Sequence, residues 1–487
     1  MTLAEIARVV GGRLHRSDGS ERVTGSVEFD SRAVTAGGLF VALPGERVDG
    51  HAFADAAYAA GATALLASRE VDGPAVLVDP VVDPVTGAGS NSYVLAADRG
   101  GAGVSVLAAL ARLARHVVDH VVAASGTTVV GITGSSGKTS TKDLVAGLLE
   151  RTGPTVAPPG SFNNELGHPW SVLRVTGATR HLVCELSARG PGHVAALCRV
   201  APPRIGAVLN VGSAHLGEFG SREAIARAKG ELVEALPAAA EGGVAVLGAD
   251  DPVLAAMSAR TAARVVHAGR APHADVRAVE ESLDAQGRAA FRLVTPAGDV
   301  PVRLAVRGAH QVDNALVAAA VAGEVGMDLA GIADGLAAAR PRSPWRMEVV
   351  ERPDGVRVVN DAYNANPESM AAALATLGAM SGRRTAVLGV MGELGDDAAH
   401  AHAEVGRLAA RSGVDHLVVV GEGARGMHDA ARSAGVATDL VADADAASDL
   451  VASLLAPGDV VLVKASRAAG LERVAEALAT ATAGGTR

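Results

Sequence analysis

Among 487 residues, one run concentrates the groups that handle phosphate: Thr133, Gly134, Ser135, Ser136, Gly137, Lys138, Thr139 and Ser140. Glycines free backbone N–H groups to wrap phosphate oxygens, a following helix N-terminus favours anions, and Lys138 can reach the β and γ phosphates. Thr139 offers a hydroxyl to Mg²⁺. The strict spacing, with glycine six residues before the lysine, is not met, because Ile132 stands there and Gly131 is one residue off. The run nevertheless follows a β-branched segment and opens a helical pattern with Leu144, Val145, Leu148 and Leu149 on one face. A bound nucleotide is expected. A guanine-reading switch is not, since no lysine follows an asparagine.

Other candidate groups stand at the ends of apolar segments. Glu185 closes the segment 181–185, and Asn210 closes 205–210, with His215 shortly after. In open α/β sheets ligands gather at the carboxyl ends of strands, so these residues are expected to face the phosphates. Glu185 and His215 could ligate a second Mg²⁺, or they could be a helix cap and an ordinary loop histidine. Lys229, in a helix otherwise served by Arg222 and Arg227, is either a plain helical lysine or an amine able to take up CO₂ as a carbamate. Only four of the 44 basic side chains are lysine: Lys138, Lys142, Lys229 and Lys464. Arginine cannot be a compact or deprotonatable amine, so each surviving lysine marks a position to question. Lys142, one turn into the helix, has no evident chemistry and reads as structural.

The elements that position these groups follow from length and pattern. At roughly 150 residues per domain, the chain divides into about three. Short apolar segments at 127–133, 181–185, 205–210 and 244–247 alternate with helical patterns, which predicts a mostly parallel sheet covered on both faces. A punctuated stretch at 340–344 precedes a fresh series at 356–359, 386–390, 417–420 and 460–463. The first 79 residues carry a strand at 39–43 and a helix near 53–60; a linker at 79–103, with one possible strand at 93–96, leads to a helix over 104–122. The expected domains are therefore 1–103, 104–341 and 342–487, all α/β, the central one built on the phosphate loop and the last Rossmann-like.

Composition excludes several classes. The net charge of −9 and the absence of a dense basic run argue against nucleic acid, as do aromatics at 2%, which leave few stacking platforms. No long uncharged apolar run or basic leader appears, so a cytoplasmic protein without membrane insertion is expected. Cys184 and Cys198 have no metal or disulfide spacing and read as buried thiols.

The phosphate loop, Glu185, Asn210 with His215, Lys229 and the run His310-Gln311-Val312-Asp313-Asn314-Ala315 occur in the order found in the muramyl ligases, the ATP-dependent amide-forming enzymes of peptidoglycan synthesis. The chain resembles that family through all three domains. Segments 361–370, 161–167 and 392–395 resemble the branch that adds D-alanyl-D-alanine, and Asp30-Ser31-Arg32 with 38–43 and 45–51 is similar to the family's uridine-nucleotide-binding domain. Departures are Ala362 and Ala465 where the family more often has serine and glycine, and Ser161 where it has asparagine.

The resemblance implies that ATP binds between the central and C-terminal domains, with Asn314 near adenine and Arg346 and Asp361 near phosphate and ribose. It implies catalysis through Lys138, Lys229 and His215, with two Mg²⁺ ions, one at Thr139 and one at Glu185, His215 and a CO₂-derived carbamate on Lys229. The implied substrates are UDP-N-acetylmuramoyl-tripeptide and D-alanyl-D-alanine, met by Ser31, Arg32, Asn163, Asn164, Asn364 and Lys464, in a monomer. A diaminopimelate- or lysine-adding relative would carry an Asp-Asn-Pro-Arg element, which this chain lacks. A non-catalytic nucleotide-dependent binding protein is the alternative from another class.

Overall fold

The computed structural model describes residues 1–45, 48–80, 98, 100–212 and 216–481; the expected strand at 93–96 and His215 lie outside them. Three sheets follow one another along the chain. The first has the order Arg13–His15, Ala75–Leu77, Ala62–Ala67, Gly38–Val41, Val27–Glu28, and its pairs are parallel except for the first. Successive strand side chains point to opposite faces. Leu39 and Val41 accordingly join Leu3 and Ile6 in one core, while Phe40 joins Ala54 and Ala57 in another.

The helix Ala102–Ser125 ties this small unit to the next. Its first half buries Val106, Ala109, Leu110 and Leu113 in the N-terminal core, and its second half buries Ala114, Val118 and Val121 in the central one. A single rigid element thus spans the junction.

The central sheet has nine strands, in the order Gly298–Arg307, Arg288–Thr295, Val276–Leu283, Arg264–Gly269, Val244–Gly248, Ile205–Val208, Thr128–Thr133, His181–Glu185, Thr155–Val156. It is parallel from its last strand through the pairing of 264–269 with 276–283, then antiparallel. The antiparallel extension was not among the expected strands. Doubly covered parallel strands read as continuous apolar runs, whereas Arg288–Thr295 alternates buried Ala289, Phe291 and Leu293 with partly exposed residues. Separate cores cover the two faces. Thr128–Thr133 sits between His181–Glu185 and Ile205–Val208, which makes its carboxyl end the switch point where a ligand crevice opens.

The third sheet runs Glu348–Glu351, Arg357–Asn360, Val460–Lys464, Arg384–Leu388, His416–Val420, Ala437–Val441, with only the first pair antiparallel. All four expected segments of this domain are strands. Among the described residues no helix is long and apolar enough to cross a membrane.

Candidate active site

The strand Thr128–Thr133 delivers the chain into the loop, and the helix Lys138–Leu149 leaves it. Gly137 has φ +80°, and a Cβ there would stand 2.6 Å from the Asn314 amide oxygen, so glycine is required both by the turn and by the approach of the neighbouring helix. Asn210 braces the loop. Its amide oxygen accepts from the backbone N–H of Ser135 (3.1 Å) and Ser136 (3.0 Å), and its amide nitrogen donates to the Ser136 carbonyl (3.2 Å). Its place at the end of the strand adjoining the loop was the only signal for this role.

Lys138 folds back over the loop and donates to the carbonyls of Gly134 (2.8 Å) and Ser135 (3.3 Å). Burial lowers its pKa, and the nearby Glu185 carboxylate works against that shift. These carbonyls hold the ammonium where a phosphate oxygen can replace them.

Three segments meet at Thr139. Its hydroxyl lies 2.7 Å from that of Ser161, and the Arg346 guanidinium donates to both, at 3.2 and 3.3 Å. Arg346 comes from the C-terminal domain and is set by Tyr363, over whose ring its guanidinium carbon stands at 4.2 Å. A cleft of about 730 Å³ opens here, lined by the phosphate loop, Ser161, Asn163, Glu185, Arg346, Asn364 and Glu393 among others. The structure thus places Thr139, Glu185, Asn163, Asn364 and Arg346, all named from the sequence, around one cleft. Ser161 and Tyr363 are members that residue spacing did not single out.

Glu185 is buried at 1% exposure. One carboxylate oxygen accepts from Asn163 Nδ2 at 2.6 Å, while the other is buried without a hydrogen-bond partner. A buried carboxylate oxygen left open is costly, and a cation would satisfy it. Lys229 is 2% exposed, and burial, with Lys138 as a like charge, pushes its pKa well below the ordinary lysine range. The shift is in the direction of the neutral amine, the form that reacts with CO₂. Among the described residues no three His, Cys, Asp or Glu side chains gather into a metal-binding group, so hydroxyl or carbamate oxygens would have to complete any set.

Some expected contacts are corrected by the geometry. Thr133 is fully buried and its hydroxyl donates to the Leu186 carbonyl (2.8 Å), bracing adjacent strands and leaving no side-chain contact for nucleotide. Asn164 lines the cleft, but its amide oxygen accepts from the Leu166 and Gly167 N–H groups at 3.3 and 2.8 Å, as a turn cap. Lys464, expected to meet substrate, points instead into its own domain in this structure. It is 1% exposed, its ammonium held by Asp361 Oδ2 (2.6 Å) and the Asn364 carbonyl (2.8 Å), so it fixes the loop bearing Tyr363 and Asn364. Asp361 in turn accepts from Met347 N–H at 3.1 Å. Lys142 is buried and donates to the Pro158 carbonyl at 2.8 Å, and Cys184 and Cys198 are buried free thiols.

Asn314 is buried, accepting from the Thr141 hydroxyl (3.1 Å) and donating to Gln311 (2.9 Å). It also lines a second cavity of about 470 Å³ with Leu209, Gly248, Asp313 and Val317. Burial raises Asp313 there to about 6, and Arg270 pairs with it. Ser31 and Arg32 form a turn on the N-terminal domain, with Arg32 folded onto Asp30 at 2.9 and 2.7 Å. Two residues earlier Phe29 packs on Phe162 (6.2 Å) and Trp170 (5.5 Å), and Glu28 accepts the Trp170 N–H at 2.9 Å. That latch sets the turn beside the loop that carries Ser161 and Asn163.

Comparison with known proteins agrees with this layout. Residues 24–117, 132–322 and 345–467 match, respectively, the Mur ligase family catalytic domain, the Mur ligase middle domain and the Mur ligase glutamate ligase domain. The chain is 52% identical to the UDP-N-acetylmuramoyl-tripeptide–D-alanyl-D-alanine ligase of Mycobacterium tuberculosis, over 98% of this chain and 97% of that one. Its fold is similar to MurF from Acinetobacter baumannii, with a TM-score of 0.83, 29% identity and 99% of each chain covered. It is also similar to MurF ligase from Thermotoga maritima in complex with ADP, with a TM-score of 0.76, 30% identity, and 94% of this chain and 97% of that one covered.

Proposed function

The chain belongs to the Mur ligase family, and from that premise we infer that it joins D-alanyl-D-alanine to UDP-N-acetylmuramoyl-tripeptide at the expense of ATP, in the cytoplasmic synthesis of peptidoglycan precursor. The observation that carries this reading is the meeting of Arg346 and Ser161 on Thr139 at the mouth of the phosphate loop, in a chain whose full length matches relatives bearing that name. Residues 1–103 take the uridine-linked substrate, 104–341 the ATP, and 342–487 close over both.

The peptide carboxylate attacks the γ-phosphorus of ATP, giving an acyl phosphate and ADP. The dipeptide amine then attacks the acyl carbon and phosphate leaves. Two anions must approach each other in the first step, so catalysis depends on preorganised positive charge. Lys138 exchanges the Gly134 and Ser135 carbonyls for phosphate oxygens, and Arg346 offers a planar cation from the opposite wall. Asn210 keeps the Ser135 and Ser136 amides in place. Thr139 and Glu185, with His215 and a carbamate on Lys229, are the residues that would hold two Mg²⁺ ions, which when bound neutralise phosphate charge. The open Glu185 oxygen and the burial of the Lys229 amine, which lowers its pKa, support that assignment. Lys464 and Asp361 position the Tyr363–Asn364 loop, and closure of the cleft keeps water from the acyl phosphate.

Purified protein offered ATP, the tripeptide nucleotide and, side by side, D-alanyl-D-alanine, diaminopimelate or L-lysine should form amide product only with the dipeptide. Product with either diamino acid, or no ATP turnover with any of them, refutes the reading.

A further inference from the structure

Lys142 stands out among the lysines because no step above uses it. It is 1% exposed, and its ammonium is surrounded by acceptors: the carbonyls of Pro158 (2.8 Å) and Gly160 (3.0 Å), the Ser343 hydroxyl (3.3 Å) and the Asp143 carboxylate (2.6 Å). Asp143 also accepts the Ser343 N–H at 2.9 Å, and Arg342 pairs with Glu150 on the same helix. Two separate stretches of chain, 158–160 and the segment at Ser343, are therefore fastened to one turn of the phosphate-loop helix, and Arg342 is tied to its C-cap.

What lies just beyond each fastening gives the arrangement its meaning. One residue after Gly160, Ser161 meets the Thr139 hydroxyl; three residues after Ser343, Arg346 meets the same hydroxyl from the C-terminal domain. Thr139 is three residues before Lys142 on the helix, and residues three apart share a face. Lys142 thus grips, from beneath, the two segments that converge on the Thr139 oxygen from opposite sides. A compact ammonium with three protons suits this nest. A planar guanidinium would need a wider, flatter site, which accounts for lysine in a chain that has 40 arginines by the count above.

We propose that Lys142, with Asp143, is a positioning residue that holds Ser161 and the interdomain linker on the phosphate loop, so that Arg346 and Ser161 reach the transferring phosphate only when both stretches are fastened. This rests on the ligase reading above. Displacing a reacting or stabilising group by about 1 Å costs on the order of a hundredfold in rate, whereas the loop amides that bind ADP remain untouched.

The test compares wild type with Lys142→Met, Lys142→Arg, Asp143→Asn and Ser343→Ala, measuring ADP affinity, kcat, KM for each substrate, and thermal midpoint. Wild type must first ligate the dipeptide; failure there refutes the ligase reading and leaves positioning out of question. With an active wild type, both Lys142 variants should bind ADP within about threefold of normal while kcat, counted per ADP-binding site, falls by roughly ten- to a hundredfold. Lys142→Met and Ser343→Ala together should lose less than the product of their separate losses, because both act through one contact. A lowered thermal midpoint with normal kcat per site means a merely structural residue and overturns the proposal. If Lys142→Met does not fold, Asp143→Asn and Ser343→Ala decide: normal kcat in both overturns it, reduced kcat with intact ADP binding supports it.

Discussion

Arg346 of the C-terminal domain donates to Thr139 of the phosphate loop across 3.2 Å, so the two domains share a hydrogen bond at the point where phosphate is to be held. The guanidinium plane is fixed by its stacking on Tyr363. Arg346→Lys keeps the charge but loses both the fork and the stacking. kcat/KM for ATP should fall by roughly a hundredfold, the scale of removing one preorganised charge-stabilising donor. Steady-state kinetics with saturating peptide substrates measures this, and a loss under about threefold would remove Arg346 from the phosphate site.

Lys229→Arg should abolish ligation while the fold survives, because arginine cannot form a carbamate. Wild-type activity should also fall in CO₂-free buffer and return on adding bicarbonate. Burial lowers the pKa of this amine, the direction that would favour such uptake. Near-normal turnover by the variant would sink the metal-bridging assignment.

The aromatic latch of Phe29, Phe162 and Trp170 should matter to the uridine-linked substrate more than to ATP. Trp170→Leu removes a ring 4.6 Å from Phe162 and leaves the buried Glu28 carboxylate without its N–H donor. A stability loss of roughly 2–4 kcal/mol is expected. The KM for the nucleotide peptide should rise severalfold with that for ATP unchanged, a split that isothermal and kinetic titrations resolve.

Acid should destabilise the protein through His168. Burial lowers its pKa from 6.5 to about 4, with its ring bonded to the Leu197 carbonyl at 3.1 Å. The folded state therefore binds fewer protons than the unfolded state between those values, so stability rises with pH across that window and is lost as pH falls from about 6.5 to 4. The effect of this one ring is on the order of 3 kcal/mol. Urea midpoints at pH 7 and pH 5 should differ less in His168→Gln than in wild type; an equal difference would mean that other groups dominate.

The parallel strands were legible because burial on both faces turns them into apolar runs, as 181–185 and 460–463 illustrate. The phosphate loop was legible because its glycines and lysine are local. The hairpin 288–307 was hidden by its single buried face. The setting of Lys464 was hidden for a related reason: the sequence offered it as a substrate contact, whereas its partner Asp361 lies 103 residues away and becomes visible only when adjacent strands bring them together. Asn164 showed the same limit, since a cap and a substrate ligand use the same amide group.

The placement of the lysines has a practical side. Lys142, Lys229 and Lys464 are buried, and Lys138 is folded against its own loop. Acylating reagents should therefore reach these four amines slowly in the native protein. A lysine-specific protease can cut only molecules that have opened, and its four sites fall in the loop helix, in the helix Arg222–Glu234 and in the strand Val460–Lys464. The order in which those cuts appear, with and without ADP, would map which part of the molecule loosens first.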